Sequence, residues 1–385
     1  MILFLVCIIY IIFNKKSDKE HMIDIPNIEN PTWTRNKCNY LFNNTVKKVF
    51  DNYNVNNSGD ENEWDIYLPC TYDDINQEIN DIQISGKKNK RIFILNNADY
   101  VIGKDFLWHF MKKYHGIEKA KTRMPMTYLL DNGDKRDLIN DYDDGKLYIL
   151  KKNIQRQEGL KITDSLDEIL DADKEDFVVA QELLQNPYLI NGRKINLRMY
   201  ILTICKNGDM DVYVYNDGFM YYTKDEFVKG SKDFGPNITT GYIDRSVYET
   251  NPLTHDDFRK YLDNPSREKS TIEKRIAADQ RISDFVFSGI YKLLHDIYMS
   301  FTGIICGGKL DDNITFQLFG ADIAIDDKLN PMVMEINKGP DMSAKDGRDG
   351  DVKYKCMRDI FDKLGVIRND EKNNFTQILE YVKNN

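Results

Sequence analysis

Two carboxylates and an amide flank a short polar turn that ends in proline. The turn, residues 326–331, separates two strand-like runs within residues 316–337. In a hairpin centred there, Asp322 lies nearly opposite Glu335, and strand alternation puts Glu335 and Asn337 on one face. Neighbouring carboxylates in a half-buried sheet repel unless a cation lies between them, and Mg²⁺ prefers oxygen ligands together with substrate phosphates. The pattern predicts a Mg²⁺–nucleotide site; the alternative is a solvated outer face of the hairpin.

A second group of chemically capable residues enters another predicted strand. In residues 191–198, alternation places Lys194, Asn196 and Arg198 on one face. Two cations on the face of a buried strand are costly unless an anion is bound, and a triphosphate is a good candidate. The alternative is the charged face of an edge strand.

Lys151 is a third candidate cation. It lies in the apolar strand predicted for residues 147–152, and the polar turn of residues 153–159 follows it. A return strand at residues 160–162 completes a lid-like hairpin, so the lysine can reach phosphates that the turn covers. The turn contains one glycine, which makes it a weak phosphate cradle on its own.

The elements that must position these residues alternate along the chain. Residues 196–204 and 211–215 predict an antiparallel pair of strands around the turn Lys206–Asn207–Gly208–Asp209. Residues 271–301 carry an apolar stripe at helical spacing, which predicts one long helix. Helices mixed with antiparallel hairpins indicate the α+β class.

Length and composition predict several packed parts. At 385 residues with 41% hydrophobic residues, the chain is too long for one small core and apolar enough to be mostly globular. Composition divides it into a short hydrophobic segment, an N-terminal subdomain, a central subdomain and a C-terminal subdomain, at residues 1–16, 17–90, 91–175 and 176–385.

The charge and the cysteine content limit the possible partners and the cellular compartment. The formal net charge is −9 and no long basic run occurs, which argues against nucleic acid as a partner. The six cysteines fit no zinc-site spacing and are expected to be free thiols of a cytoplasmic, reducing compartment.

The N-terminus is wholly apolar over residues 1–13, and Asn14, Lys15 and Lys16 follow. A membrane-spanning helix needs about 20 apolar residues, so this segment is short for one. It is a candidate membrane anchor whose lysines would keep the folded part cytosolic; the alternative is a peripheral segment.

Three segments, in this order, resemble the tubulin–tyrosine ligase-like family. They are LYILKK with the following RQEGL, VVAQELLQNPYLINGRKINLRMYILT, and FQLFGADIAIDDKLNPMVMEINKGP. Upstream, Lys104 with Leu107 and the stretch PMTYLL are similar to two further family elements. The resemblance covers roughly residues 91–362, and the last segment is the most specific.

The resemblance implies an ATP-grasp fold that holds ATP between two halves, with Mg²⁺. Residue by residue, it implies phosphate binding by Lys104 and Lys151, adenine binding by Gln181, Glu182, Leu183 and Leu184, contact of Lys194 and Arg198 with the γ-phosphate and the acyl-phosphate, and Mg²⁺ ligation by Asp322, Glu335 and Asn337. Lys194, Arg198 and Glu335 are the implied catalytic residues.

The implied activity is an ATP-dependent ligase that adds glutamate, tyrosine or glycine to a protein carboxylate through an acyl-phosphate, with tubulin as a candidate acceptor. Two departures from the family pattern oppose it. Asn196 stands where the family usually has Asp, and Tyr221 stands where it usually has Arg. They leave open a catalytically weak, nucleotide-binding pseudoenzyme that serves as a scaffold.

Overall fold

The structure is a computed structural model that describes residues 23–35, 38, 40–60, 62–70, 75–82, 88–131, 133–154 and 159–383. The predicted anchor at residues 1–13 and part of the predicted lid turn, residues 155–158, lie outside the described residues. Within the described part of the chain, no helix is both long and apolar enough to cross a membrane.

Fifteen strands form the framework within the described residues. In chain order they are β1 Thr32–Thr34, β2 Asn56–Asn57, β3 Ile66–Tyr67, β4 Arg91–Ile92, β5 Thr127–Leu129, β6 Tyr148–Lys151, β7 Leu160–Thr163, β8 Val179–Glu182, β9 Leu189–Ile190, β10 Arg193–Lys206, β11 Asp209–Thr223, β12 Thr239–Thr240, β13 Ile314–Ile325, β14 Pro331–Lys338 and β15 Phe375–Tyr381.

The α-helices of the described residues flank these strands. They span Asn44–Asn52, Ile75–Asp81, Asp99–Ile102, Lys104–His115, Ile117–Ala120, Lys135–Asp141, Leu166–Leu170, Val247–Thr250, His255–Asp263, Thr271–Ala277, Ile282–Met299 and Gly347–Lys363, and one 3₁₀ turn spans Ala172–Glu175. The prediction of a mixed fold with antiparallel sheets and flanking helices is confirmed.

The larger sheet has 11 strands, and its centre is antiparallel. Strand β10 pairs with β11 on one side and with β13 on the other. The turn between β10 and β11 uses Asn207 and Gly208, whose φ angles are 56° and 88°. Asparagine and glycine adopt this left-handed conformation most readily, so the predicted hairpin forms where the sequence places them.

The hairpin of β13 and β14 closes on the polar turn that the sequence analysis identified. The Asp326 carboxylate accepts hydrogen bonds from the backbone N–H groups of Lys328 and Asn330 at 2.9 and 2.7 Å. Every residue of β13 is buried. One face packs on one core cluster, and the other packs on a second core cluster at the start of the strand and lines a cavity at Asp322 and Ala324. The turn therefore fixes the register of a strand that carries both core and site residues.

A separate sheet of four strands stands opposite, in the order β5-β8-β6-β7. All of its pairings are antiparallel, and Lys151 of β6 is paired with Leu160 of β7. A small apolar cluster that includes Tyr128, Tyr148 and Leu150 supports its outer side. This sheet supplies one wall of the cavity described below.

The prediction of one helix over residues 271–301 is wrong. The first helix ends at Ala277, Arg281 is extended with ψ 138°, and the second helix begins at Ile282. The Asp263 carboxylate accepts hydrogen bonds from the backbone N–H, at 3.0 Å, and the hydroxyl of Ser283 in the first turn of the second helix. A cap from another helix starts a new helix there, although the apolar stripe continues through the break.

The prediction of free thiols is also wrong for four cysteines. Cys38 is bonded to Cys70 and Cys205 to Cys306, over sequence separations of 32 and 101 residues. The spacing rules applied to the sequence address local motifs, whereas these pairs form because strands bring distant segments together. Among the described residues, Cys356 is the free cysteine, and it is buried.

Candidate active site

A cavity of about 840 Å³ lies between the four-stranded sheet and the β10–β14 part of the larger sheet. Its volume is within the range typical of small-molecule sites. All of the sequence-predicted site residues line it: Lys104, Lys151, Gln181, Glu182, Leu183, Leu184, Lys194, Arg198, Asp322, Glu335 and Asn337. The structure thus brings together residues that are up to 233 positions apart (337 minus 104). Their individual roles stay predictions.

The two carboxylates lie opposite each other, as the hairpin argument predicts. Asp322 is paired with Glu335 in the register of β13 and β14, and the Asn337 amide donates to Glu335 Oε1 at 3.0 Å. Burial raises the pKa of Asp322 to about 6, against the opposing effect of Arg198. The pKa of Glu335 is lowered by Lys104, Asn337 and Lys151 despite burial. These oxygens form a donor set of the kind that Mg²⁺ takes.

Arg198 is held against Asp322 by a bidentate ion pair. The guanidinium Nε and Nη2 donate to the two carboxylate oxygens at 2.7 and 3.0 Å, and the two residues are paired across β10 and β13. A Cβ on Gly320 would lie 3.2 Å from the Arg198 side chain, so the glycine leaves room for it. Bidentate pairs fix orientation as well as charge, so Arg198 is positioned precisely at the carboxylate end of the cavity.

Among the described residues, three buried lysines that face the cavity have only neutral hydrogen-bond acceptors. Lys104 Nζ donates to the Ile154 carbonyl at 3.0 Å. Lys151 Nζ donates to Gln181 Oε1 at 2.7 Å and to the Met334 carbonyl at 3.3 Å. Lys194 Nζ donates to the Leu184 carbonyl at 2.9 Å and to Asn237 Oδ1 at 3.3 Å. None of the ion pairs found among the described residues includes any of the three within 4.0 Å.

The electrostatics of these lysines indicate an anion-binding site. Burial lowers the pKa of Lys151 and that of Lys194 to about 8, and it also lowers the pKa of Lys104. Glu335 attracts Lys104 and Lys151 but forms no ion pair with either, and burial of the three charges costs free energy that an anion in the cavity would offset. A polyphosphate carries enough charge to serve all three lysines at once. The residues therefore fit a Mg²⁺–nucleotide.

The segment predicted to bind adenine forms the end of β8 and the residues after it. The backbone N–H groups of Glu182 and Leu183 donate to the carbonyls of Met126 and Leu147, each at 2.8 Å. The Gln181 amide donates to Thr127 Oγ1 at 2.8 Å while its oxygen holds Lys151. The wall beside it is an apolar cluster formed by Leu147, Ile149, Ile162, Leu160, Leu183 and Ile238. Such a wall suits a flat, apolar base.

The two departures from the family pattern are neighbours in the structure. Asn196 of β10 is paired directly with Tyr221 of β11, and both line the cavity. The Arg198 guanidinium lies 4.9 Å from the centre of the Tyr221 ring. Burial raises the pKa of Tyr221 to about 12, so the phenol is neutral. A neutral pair therefore occupies the place of an acid–base pair.

Several cavity residues escaped the sequence analysis. Lys338, Tyr242, Lys345 and Lys353 line the cavity, and Lys338 forms an ion pair with Asp99. Lys345 and Lys353 lie in the segment and the helix that follow β14, where the sequence offers no strand alternation to place them. The position of Lys338 directly after Asn337 was the one signal available from the sequence.

Comparison with known proteins decides the family. The sequence model described as the tubulin-tyrosine ligase family matches residues 82–374, which is most of the chain. The chain belongs to the tubulin-tyrosine ligase family. Its mixed α/β fold, with a cavity between two antiparallel sheets, is accordingly ATP-grasp-like.

Curated relatives share about a quarter of their residues with this chain over the matched segments. A probable tubulin polyglutamylase TTLL9 of Rattus norvegicus is 27% identical over 187 residues, which is 47% of this chain and 37% of the relative. The human tubulin polyglutamylase TTLL7 is 25% identical over 218 residues, 53% of this chain and 24% of the relative. A probable beta-tubulin polyglutamylase of Tetrahymena thermophila is 25% identical over 256 residues, 61% and 20% respectively. The chain spans less than half the length of these relatives.

Proposed function

We propose that this chain is an ATP-dependent ligase that joins an amino acid to a carboxylate of a protein. Glutamate is the first candidate amino acid and tubulin the first candidate acceptor, because relatives are named tubulin polyglutamylases. The observation that carries the proposal is the gathering of three buried lysines, held by neutral partners, beside two opposed carboxylates in one cavity.

The proposed reaction has two steps. The γ-phosphoryl group of ATP passes to an oxygen of the acceptor carboxylate, which gives an acyl-phosphate and ADP. The amine of the incoming amino acid then attacks the acyl carbon, loses a proton and displaces inorganic phosphate, so that an amide bond remains. Lys104, Lys151 and Lys194 neutralise the phosphates, and Arg198 stabilises charge on the transferring group.

Asp322, Glu335 and Asn337 are the residues that would hold Mg²⁺. Bound there, the ion would neutralise phosphate charge beside the reacting group. Arg198 keeps Asp322 oriented through its bidentate hydrogen bonds. The three lysines are buried, so phosphates bound to them would displace water from the deep part of the cavity, which would protect an acyl-phosphate from hydrolysis.

The test is a transfer assay with the full chain, Mg²⁺, ATP, tubulin and radiolabelled glutamate, tyrosine or glycine in separate reactions. Label should enter tubulin, with one phosphate released for each amino acid joined. Glu335→Gln should abolish transfer, whereas Lys355→Met, at a half-exposed lysine that does not line the cavity, should not change it. ATP binding without transfer or phosphate release would support the scaffold alternative and reject the ligase.

A further inference from the structure

One corner of the cavity contains an aromatic residue where the family usually has a cation, and a lysine beside it. A Cβ on Gly241 would lie 2.8 Å from ring atoms of Tyr221, so the tyrosine ring packs directly on the Gly241 backbone. On that same residue, the Gly241 carbonyl accepts a hydrogen bond from Lys345 Nζ at 2.9 Å. Lys345 and the Tyr221 ring thus both contact Gly241, so the lysine lies close to the position that Tyr221 occupies.

The charge of Lys345 is not neutralised by an ion pair. Its ammonium lies 4.1 Å from the centre of the Tyr242 ring, and no ion pair among the described residues includes it within 4.0 Å. Lys345 is exposed, whereas the nearby Lys353 is buried and paired with Asp349 at 2.9 Å. Lys345 therefore presents a positive charge at the mouth of the cavity, and the Tyr242 ring face positions it.

Two acidic residues lie near Lys345, and both have other partners. The Asp349 carboxylate accepts from the Lys345 backbone N–H at 3.0 Å and holds Lys353. The Asp341 carboxylate accepts from the Ser343 backbone N–H at 2.9 Å. The negative charge of these acids lowers the positive electrostatic potential at this corner, but neither acid forms an ion pair with the Lys345 ammonium.

The geometry separates this corner most clearly from Lys151. Lys345 contacts Gly241 and Tyr242, whereas Lys151 contacts β8 and β14. Lys194 contacts Leu184 after β8 and also Asn237, four residues before Gly241 in the chain. Arg198 lies between, because it contacts both Asp322 and the Tyr221 ring. A small ligand in this corner would therefore lie beside the reacting group rather than along the polyphosphate.

We infer that Lys345 binds a carboxylate of the incoming amino acid and supplies the cation that family members usually carry at position 221. This inference rests on the proposed ligase function. An amino acid carries its α-carboxylate two bonds from its amine, so a carboxylate held by Lys345 places the amine toward Tyr221 and Arg198, beside the acyl-phosphate. The long flexible side chain of a lysine suits contact at the exposed mouth of a cavity.

The first experiment compares Lys345→Met with Lys355→Met and Lys345→Arg in the transfer assay. With saturating ATP and acceptor, Lys345→Met should raise KM for the amino acid about tenfold or more, as expected for the loss of a charge-assisted hydrogen bond, and leave KM for ATP unchanged. Lys345→Arg should keep most of the affinity, and Lys355→Met should match the wild type. An unchanged KM for the amino acid, or a rise confined to the acceptor, would overturn the inference.

Substrate analogues identify the carboxylate. If Lys345 binds the α-carboxylate, Lys345→Met should not further weaken glutamate α-amide, which lacks that group, but should still weaken glutamine. If it binds the side-chain carboxylate, the two analogues exchange behaviour. An equal penalty on both would contradict carboxylate recognition by this lysine.

Relocation of the cation gives an independent check. In the Lys345→Met background, the pair Asn196→Asp and Tyr221→Arg restores the usual family charges beside the vacated corner. KM for the amino acid should then return toward the wild-type value, while failure to recover with ATP affinity intact would reject the relocation. If the wild type transfers the amino acid and Lys345→Met has the wild-type KM for it, only this inference is rejected. If the wild type shows no transfer, the proposed function is rejected and the inference with it.

Discussion

The structure changes how the two departures from the family pattern, Asn196 and Tyr221, are interpreted. When the sequence alone is considered, each looks like the loss of a catalytic charge. In the structure they are direct cross-strand partners, so one acid and one base are replaced together and the net charge of the cavity does not change. Side chains that face each other across strands are energetically coupled. The two departures are therefore one coordinated replacement, which weakens the argument for an inactive protein.

This coupling predicts the outcome of a double-mutant cycle. Asn196→Asp alone places a carboxylate opposite the neutral Tyr221, and Tyr221→Arg alone places a second guanidinium beside Arg198, so each should lower the free energy of unfolding by about 1 kcal/mol or more. The double variant should recover about 1 kcal/mol relative to the sum. Urea unfolding measures all four proteins. Asn196→Asp combined with the distant Lys355→Met should be additive, and additivity in the Asn196–Tyr221 cycle would contradict the coupling.

The lowered pKa of Lys194 predicts proton uptake on nucleotide binding. With burial lowering its pKa to about 8, Lys194 is charged below pH 8 and neutral in the free protein between pH 8 and its ordinary value near 10.5. A bound phosphate favours the charged form, so Mg–ATP binding at pH 8.5 to 9 should take up protons and its affinity should fall as the pH rises through 8. Below about pH 7 no uptake by this group is expected.

Calorimetry in buffers of different ionisation enthalpy measures this uptake. Lys194→Met should reduce it and leave the share that comes from Lys151, whose pKa is lowered similarly. Lys355→Met, at a lysine outside the cavity, should behave as the wild type. Binding whose proton count is zero across pH 7 to 9 would show that no phosphate lies beside these lysines.

At the scale of the element, the sequence predicts structure that a local pattern specifies, and it does not predict structure that depends on contacts between distant segments. The β13–β14 hairpin was predictable down to the pairing of Asp322 with Glu335, because its alternation and its turn lie within one short segment. The strands β1 to β3 were not predicted, because two or three residues carry no periodicity and these strands pair in parallel with partners distant in sequence. Lys104 was found only by resemblance, since it begins a helix and no strand alternation marks it.

The break between the two helices near Arg281 makes Asp263 a stability determinant. Asp263→Ala removes both hydrogen bonds to Ser283 at the start of the Ile282–Met299 helix and should lower the free energy of unfolding by about 1–2 kcal/mol. The affinity for Mg–ATP should not change, because neither residue lines the cavity. Chemical denaturation and nucleotide titration check the two statements, with the exposed Asp279→Ala as the matched control. Equal stability of the two variants would mean that Asp263 does not cap this helix.

At the scale of the whole molecule, the site exists only because two sheets face each other. Each sheet contributes side chains that are unremarkable alone: Lys151 and Gln181 from one, Arg198 and Asp322 from the other. Sequence motifs in the right order could predict that these residues meet. They could not predict the contribution of Lys345, whose contact with Gly241 joins segments 104 residues apart that no local pattern connects.

The two disulfides link segments that are distant in the sequence, and their reduction should dominate the effect of reductant on stability. In the chain-entropy account, the Cys205–Cys306 link closes a loop of 101 residues and the Cys38–Cys70 link one of 32 residues. Loss of the longer link should therefore lower the free energy of unfolding by about 1 kcal/mol more than loss of the shorter one, and each loss should lower it by about 4 kcal/mol. Urea unfolding of Cys205→Ala/Cys306→Ala and of Cys38→Ala/Cys70→Ala, each with and without reductant, measures this difference. Non-reducing peptide mapping should recover both linked pairs from the wild type, and if alkylation instead labels all four cysteines without reductant, the thiols are free and the links do not form.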